Sequence, residues 1–277
     1  MYEPKPRIIA APAFRDVVVQ HAIYKLIYPI FDKTFIHDSY GCRVGKGTHR
    51  AADQAQQFLR QSVLGSYTLQ LDIKKFYYSI DRTILMQQIE KKIKDPRMLQ
   101  LLEAFIQDEG DKGVPIGNLL SQLFALVYLN PLDHYIKREL KVQRYVRYVD
   151  DFVIFGVSKE EAAQLRDTIA AWLHENLGLE LSRWTIQPVS RGINFVGFRT
   201  YRATRTIRRH SLHNFGRALR AGRIDSLLSI MGNAKQSASY QHLCNRLINE
   251  YPEHLRGMSR RMSDELLQLY KNNHAWA

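Results

Sequence analysis

The sequence has 277 residues, 45% hydrophobic and 24% charged, enough for one large domain or two to three subdomains and too apolar for a disordered chain. Lys and Arg number 40 against 27 Asp and Glu, a net charge of +13. A field of that size attracts polyanions, nucleic acid first among them, although charge alone fits a solvated basic face equally well.

The excess is greatest over residues 201–277, where 13 basic residues face 5 acidic ones. There Arg217, Arg220 and Arg223 recur among Leu219 and Ile224, the pattern of helices with one face on a core and the other on phosphates. The two cysteines, Cys42 and Cys244, form neither a metal-ligand spacing nor a disulfide framework and read as reduced thiols. No signal peptide is visible. The longest apolar stretch, 119–132, is broken by Ser121, Gln122, Asn130 and Pro131 and is too short and polar to span a bilayer. The expectation is a soluble, cytoplasmic protein with no membrane partner.

Residues 1–16 carry Pro4, Pro6 and Pro12 and read as extended. Over 17–36 the apolar positions Val18, Ile23, Leu26, Ile27 and Ile30 recur at helical spacing. A glycine-bearing loop follows over 40–47. It lacks the Walker spacing, because Gly45-Lys46-Gly47 has no Lys-Ser/Thr. Residues 48–61 read as helix. Tyr67 to Ile73 reads as a strand ending in Asp72. Residues 83–107 are helical with a break at Pro96, and 121–135 form an apolar helix. Residues 144–155 are two short β-rich runs around Asp150-Asp151, a hairpin signature. An amphipathic helix is expected over 159–177, and strands over 184–189 and 193–199. After Tyr201 the chain reads as helical, basic and free of strands. The ten histidines show no ligand pairing at metal spacing. The fold class is α+β, a small antiparallel sheet with acids at its strand ends, then a helical tail.

Two segments carry the chemistry. Asp72 opens the run Asp72-Ile73-Lys74-Lys75-Phe76-Tyr77-Tyr78-Ser79-Ile80, and Asp150-Asp151 lie in Tyr148-Val149-Asp150-Asp151-Phe152-Val153-Ile154. If the two strands are neighbours, three carboxylates converge at one end of the sheet. Converging carboxylates repel one another unless cations fill the space between them. Oxygen ligands suit Mg²⁺, and two such ions can clamp an in-line phosphoryl displacement. Taken singly, Asp-Asp at a hairpin tip is also ordinary turn chemistry, and Asp72 could be a helix cap or a surface ion pair.

Tyr148-Val149-Asp150-Asp151 resembles the metal-binding box of reverse transcriptases, and 72–80 resembles their first catalytic-aspartate motif. Lys5-Pro6-Arg7 with 16–20, and Ser39-Tyr40-Gly41-Cys42-Arg43 with Gly45-Lys46-Gly47-Thr48-His49, look like fingers motifs. Asn194-Phe195-Val196-Gly197-Phe198 looks like the primer-grip hairpin. Val114-Pro115-Ile116-Gly117-Asn118-Leu119-Leu120-Ser121-Gln122 and Pro188 to Asn194 are similar to the reverse transcriptases of diversity-generating retroelements.

The resemblance implies a right-hand polymerase fold: fingers over 1–66, an antiparallel-sheet palm over 67–200 and a helical thumb over 201–277. It implies an RNA-directed DNA polymerase that copies a template-repeat RNA into error-prone cDNA in a bacterial or phage-infected cell. Asp72 and Asp150 would hold two Mg²⁺ ions (Mn²⁺ as substitute) with the Ile73 carbonyl, and Asp151 would be an outer ligand. Lys5 and Arg7 would reach the triphosphate. Tyr77 would exclude a ribose 2′-hydroxyl, favouring dNTPs over NTPs. Ile116 and Gly117 would line the nucleotide site, with Ile116 where most relatives have Gln, which lowers fidelity in this reading. Phe195 and Gly197 would grip the primer. Arg43, Lys46, Arg217 and Arg220 would contact nucleic acid. Implied partners are template RNA, the RNA/cDNA duplex, dNTPs and a small basic accessory protein.

Val17 stands where relatives often have Arg. Arg183 stands where many have a Lys that protonates pyrophosphate, and an arginine is a poor general acid. Relatives usually carry residues before the Lys5 motif, so the fingers are expected to be short or truncated. No ribonuclease H domain is expected after the thumb. The rival readings are a group II intron or retron-type reverse transcriptase, expected to have Gln at position 116; a catalytically decayed basic RNA-binding scaffold, opposed by the intact acids; and an RNA-copying RNA polymerase, opposed by Tyr77.

Overall fold

The computed structural model describes residues 11–107, 110, 112–259 and 264–268. The chain divides into two compact units, Met1–Val189 and Ser190–Ala277.

The first unit is built on a four-stranded sheet. Its strands are β1 (Tyr67–Ile73), β2 (Tyr145–Tyr148), β3 (Asp151–Val157) and β4 (Leu181–Pro188), in the order β2-β3-β1-β4. All three pairings are antiparallel. Side chains alternate across a strand, so Leu69, Leu71 and Ile73 enter the main core with Phe152 and Ile154, while Gln70 and Asp72 take the other face.

Helices supply the rest of that core. α1 (Phe14–Asp32) buries Ile23, Ile27 and Phe31. α2 (Thr48–Gln61) packs on β2 and β3, with Phe58 5.7 Å from Phe155. A single turn, α3 (Phe76–Ser79), follows β1. α4 (Arg82–Glu90) starts at Asp81, whose carboxylate accepts from the amides of Thr83 and Ile84. α5 (Pro96–Ile106) starts at Asp95, with Pro96 in the first turn, where a missing N–H costs nothing. α6 (Leu119–His134) is apolar nearly all round and accordingly runs through the core, followed by a π-turn over Tyr135–Glu139. α7 (Lys159–Leu177) has a capping box between Ser158 and Glu161, ends at Gly178 in left-handed geometry, and lies on β1 and β4.

The second unit begins with a three-stranded antiparallel sheet, β5 (Ile193–Phe195), β6 (Phe198–Thr200) and β7 (Arg205–Ile207). The helices α8 (Arg209–Arg220), α9 (Ile224–Ala234) and α10 (Ser239–Glu250) follow. Phe195, Phe198, Phe215, Leu219, Leu227 and Leu243 are buried in it.

Most elements lie within a few residues of their expected positions, and β1, α2 and α7 match residue for residue. One expectation is corrected: the chain after Tyr201 is not free of strands, because β7 pairs with β6. The hairpin 193–200 falls within the second unit, where β6 also pairs with β7. The first unit holds the residues expected as fingers together with most of those expected as palm. Ser39 bridges Arg147 at the outer edge of β2, which welds the 38–40 loop to the sheet.

Candidate active site

β1 and β3 are neighbours, and their register pairs Asp72 directly with Asp151. Directly paired residues point to the same face, so both carboxylates emerge beside Gln70. Asp150 sits one residue earlier, in the two-residue connection Val149-Asp150 between Tyr148 and Asp151, which are themselves paired across β2 and β3. The Asp150 carbonyl accepts from the Ile73 amide at 3.3 Å. The two aspartate motifs therefore meet at one end of the sheet.

On the other side of β1, Asp72 is paired with Arg183 of β4. Arg183, exposed on β4, is the residue that stands where relatives often have Lys. The Asp72 carboxylate also accepts from the Ser182 hydroxyl at 2.5 Å, and Asp151 accepts from the Gln70 amide at 2.8 Å. Among the described residues no three acidic, His or Cys side chains stand together as a ready ion cage. The strands and the backbone bring the two motifs together, and the Asp72 and Asp151 carboxylates rest on the polar neighbours Ser182 and Gln70. The donor set fits a hard divalent cation, since it offers half-buried carboxylate oxygens at one end of the sheet.

The turn itself is unusual. Val149 has φ 57°, a left-handed geometry that is an outlier for a β-branched residue. Gly41 lies against it: a Cβ on Gly41 would stand 2.5 Å from Val149 Cγ2 and 2.8 Å from the Val149 nitrogen. Arg147 Nη1 donates to the Val149 carbonyl at 2.9 Å. The rest of that guanidinium grips Asp133 of α6, with Nε to Oδ1 at 2.7 Å and Nη2 to Oδ2 at 2.5 Å. The Tyr145 hydroxyl donates to the same Asp133 Oδ1 at 2.7 Å. Arg147 and Asp133 are both 0% exposed. Burial disfavours the Arg147 cation, but Asp133 outweighs it and holds the pKa above the ordinary value. Burial, reinforced by Asp133, pushes the Tyr145 hydroxyl well up.

After Ile73 the chain turns sharply through Lys75, at φ 45°, and the three aromatics separate. Phe76 enters the core, Tyr78 is 46% exposed, and Tyr77 is half-buried with its ring 5.5 Å from that of Phe76. The Tyr77 carbonyl accepts from the Val114 amide at 2.9 Å. That bond sets the 113–118 loop beside Tyr77. Gly113 is required there, since a Cβ would stand 3.1 Å from Tyr78 Cα and 3.2 Å from the Tyr77 oxygen. Ile116 is half-buried, and Gly117 is exposed at φ 113°. The loop's far end is held by the buried Gln20 of α1, whose side-chain oxygen accepts from the Leu119 amide at 3.0 Å.

The remaining expected residues lie elsewhere. Arg43 is only 7% exposed at its side chain. It donates to the Asp32 carboxylate at 2.7 Å and to the carbonyls of Ile36 and Ser39, with Phe35 under its plane. These bonds fasten the loop to α1 and to the 36–39 segment. Lys46 donates to the His37 carbonyl at 2.9 Å and stands over Tyr40. Burial, then Arg43, lowers its pKa. Arg217 and Arg220 are exposed on α8. In the second unit, Val196 and Gly197 form the β5–β6 turn with φ 42° and 90°, whereas the Phe195 ring is fully buried. Lys5 and Arg7 lie outside the described residues.

Sequence reasoning missed Gln70, Ser182 and the Arg147–Asp133 pair, and named Gly41 only within a fingers motif, without its approach to Val149. Gln70 was within reach, since two residues before Asp72 on a strand means the same face. Ser182 requires the register of β4, which no local pattern carries.

A family profile described as Reverse transcriptase (RNA-dependent DNA polymerase) matches residues 3–200. The chain belongs to that family. Protein YkfC of Escherichia coli (strain K12) is 26% identical over 243 residues, covering 72% of this chain and 64% of that protein. The group II intron-encoded protein LtrA of Lactococcus lactis subsp. cremoris is 25% identical over 267 residues, covering 70% of this chain and 44% of that protein. The chain thus spans less than two thirds of either relative. Among solved structures, apo telomerase from Candida tropicalis superimposes with a TM-score of 0.57 at 12% identity, over 92% of this chain and 61% of that one. An insertion-loop deletion mutant of the RNA-dependent RNA polymerase of a human picorbirnavirus gives 0.58 at 12% identity, over 97% of this chain and 61% of that one. These likenesses bear on the fold alone, and they bear out the expected right-hand polymerase fold.

Proposed function

We propose that this chain is the polymerase of a diversity-generating retroelement: an RNA-directed DNA polymerase that copies a template RNA into cDNA with low fidelity. The observation that carries the polymerase reading is the register of Asp72 against Asp151, with Asp150 on the adjoining turn, in a chain of the reverse transcriptase family. In this reading the four-stranded sheet is the palm.

Asp72 and Asp150, with the Ile73 carbonyl, would hold two divalent cations, Mg²⁺ or Mn²⁺, and Asp151 would support them from outside. Ions held there would supply Lewis-acid activation for a primer 3′-hydroxyl and charge stabilisation for a leaving pyrophosphate. Ser182 and Gln70 hold Asp72 and Asp151 on the shared face until then. Arg183, paired with Asp72 across β1 and β4, supplies fixed positive charge for the triphosphate rather than a proton. Tyr77 and the 113–118 loop form one wall through the Val114 bond. Tyr77 excludes a ribose 2′-hydroxyl, and Ile116 leaves the new base pair without a polar constraint. The exposed basic residues of α8 suit duplex phosphates. Template RNA, the RNA/cDNA duplex and dNTPs are the substrates, with a small basic accessory protein as partner.

The retroelement class rests on Ile116-Gly117 with Ser121-Gln122. A group II intron-type activity is the second reading, favoured by the likeness to LtrA. No helix among the described residues is long and apolar enough to cross a membrane.

The test is primer extension on an RNA template with Mg²⁺ or Mn²⁺, dNTPs against NTPs, beside Asp150→Ala. Extension with dNTPs that this substitution abolishes supports the polymerase. Errors concentrated opposite template adenines support the diversity-generating class, and faithful copies favour the intron-type reading. RNA binding without extension would favour a non-catalytic scaffold.

A further inference from the structure

We infer that Arg147 is a positioning residue for the Val149-Asp150 turn, clamping it from within the core through its buried pairing with Asp133. The inference rests on the polymerase reading for its catalytic consequence, but its structural content stands apart from that reading.

A two-residue turn exposes two carbonyls, and here both are held. The Asp150 carbonyl takes the Ile73 amide of β1, and the Val149 carbonyl takes Arg147 Nη1. The first bond comes from the strand that carries Asp72. The second comes from a guanidinium that cannot itself move, because its other nitrogens are fixed on both oxygens of Asp133 in the fully buried interior. Asp133 is fixed in turn by the Tyr145 hydroxyl. A planar guanidinium is suited to this: one edge makes the fork to a carboxylate while a donor remains for a third acceptor.

The turn needs such a hold. Val149 occupies left-handed geometry at φ 57°, which a β-branched residue leaves when nothing opposes it. Gly41 presses on the same residue from outside, with no room for a Cβ. The loop bearing Gly41 is itself bonded to Arg147, since the Tyr40 amide donates to the Arg147 carbonyl and the Arg147 amide to the Asp38 carbonyl, each at 2.9 Å. One buried residue therefore organises both sides of the turn that carries Asp150. A displacement of about 1 Å at a reacting group can cost on the order of 10²-fold in rate, so a turn set this way fixes catalytic geometry without touching substrate.

Removing Arg147 alone would strand Asp133 as an unpaired buried charge and threaten the fold. The decisive variant replaces the whole network by apolar residues of similar volume: Asp133→Leu, Tyr145→Phe and Arg147→Met together. Such exchanges commonly leave stability intact. Two readouts apply to the full chain. Hydrogen exchange of the Tyr148–Asp151 segment should rise at least about tenfold with flanking core segments unchanged. In primer extension kcat should fall about 10- to 100-fold with the KM for dNTP within about twofold. Adding Val149→Gly, which adopts positive φ without strain, should restore most of the lost kcat.

Wild-type exchange in the triple variant overturns the proposal. So does faster exchange with unchanged kcat, or a kcat that Val149→Gly leaves depressed. If the wild-type chain itself extends no primer, the polymerase reading falls, and the exchange comparison alone decides the clamp.

Discussion

Asp72 and Asp151 stand directly opposite each other on antiparallel neighbours β1 and β3, with Gln70 and Ser182 holding their oxygens. Losing either Asp72 or Asp150 should remove a charge that acts mainly in the transition state. Asp72→Ala and Asp150→Ala are expected to cut kcat by at least roughly 10²-fold, with primer–template affinity nearly unchanged. Asp151→Asn, altering the outer ligand, should cost distinctly less. Single-turnover extension beside an equilibrium binding assay separates the two quantities, and equal losses for all three would remove the ranking.

Gly41→Ala tests the close approach to the turn. The new methyl would lie 2.5 Å from Val149 Cγ2 and 2.8 Å from a backbone nitrogen, and the nitrogen cannot step aside as a flexible side chain would. A stability loss of about 1–3 kcal/mol is expected, the usual cost of overpacking. Activity should fall further than that loss explains at temperatures where the variant remains folded. Thermal unfolding and extension at 25 °C provide the check.

Tyr77 and Ile116 should control selection rather than rate. Tyr77→Ala is expected to narrow the preference for dNTP over NTP by on the order of 10- to 100-fold, the range one pocket contact supplies. Ile116→Gln should lower the misincorporation frequency, since it places an amide beside the half-buried loop position. An unchanged error spectrum in sequenced products would refute the fidelity role of Ile116.

The Asp32–Arg43 pair carries a pH-dependent share of stability. Burial pushes the Asp32 carboxyl up, but hydrogen bonds from Arg43 and Tyr28 outweigh it and hold its pKa below the ordinary 3.8. A depressed folded pKa contributes stability that is present above 3.8 and disappears as the pH falls through the lower folded value. Asp32→Asn should therefore cost about 1 kcal/mol at pH 7, given the partial exposure of Asp32, and progressively less below pH 3.8. Urea unfolding across that range measures it. A deficit that stays constant with pH would point to packing instead.

On α8, Arg217→Ala and Arg220→Ala should weaken duplex binding at low salt and reduce the salt dependence by roughly one ion per lost phosphate contact. Binding isotherms at several salt concentrations read this directly. An unchanged slope would remove α8 from the nucleic-acid surface.

Much of the fold was legible in the sequence because local signals agreed. Ser158 with Glu161, an amphipathic run and Gly178 bound α7 at both ends. The apolar alternation of Tyr67 to Ile73 marked β1 and the face of Asp72. What escaped depended on distant partners. Arg147 carries a charge on a short β-rich run, and only Asp133, on another element, accounts for its burial. β7 is three residues long, too short for a period to show. Arg43 reads as a nucleic-acid contact in a glycine-bearing loop, and its hydrogen bonds to Asp32 and two carbonyls are not visible in the local sequence. The orientation of the Asp72 and Asp151 carboxylates likewise depends on Ser182, whose position follows from the register of β4.

The Asp133–Arg147 pair also constrains how this protein can diverge. A substitution at either position alone leaves a buried charge without its counter-ion, a cost of about 3–5 kcal/mol, comparable to the whole margin of many domains. Drift through single steps is therefore closed, whereas a joint exchange for apolar residues keeps the fold open to the lineage. Among descendants of this sequence the two positions should change together or not at all, and Tyr145, whose hydroxyl loses its acceptor with Asp133, should follow them toward phenylalanine.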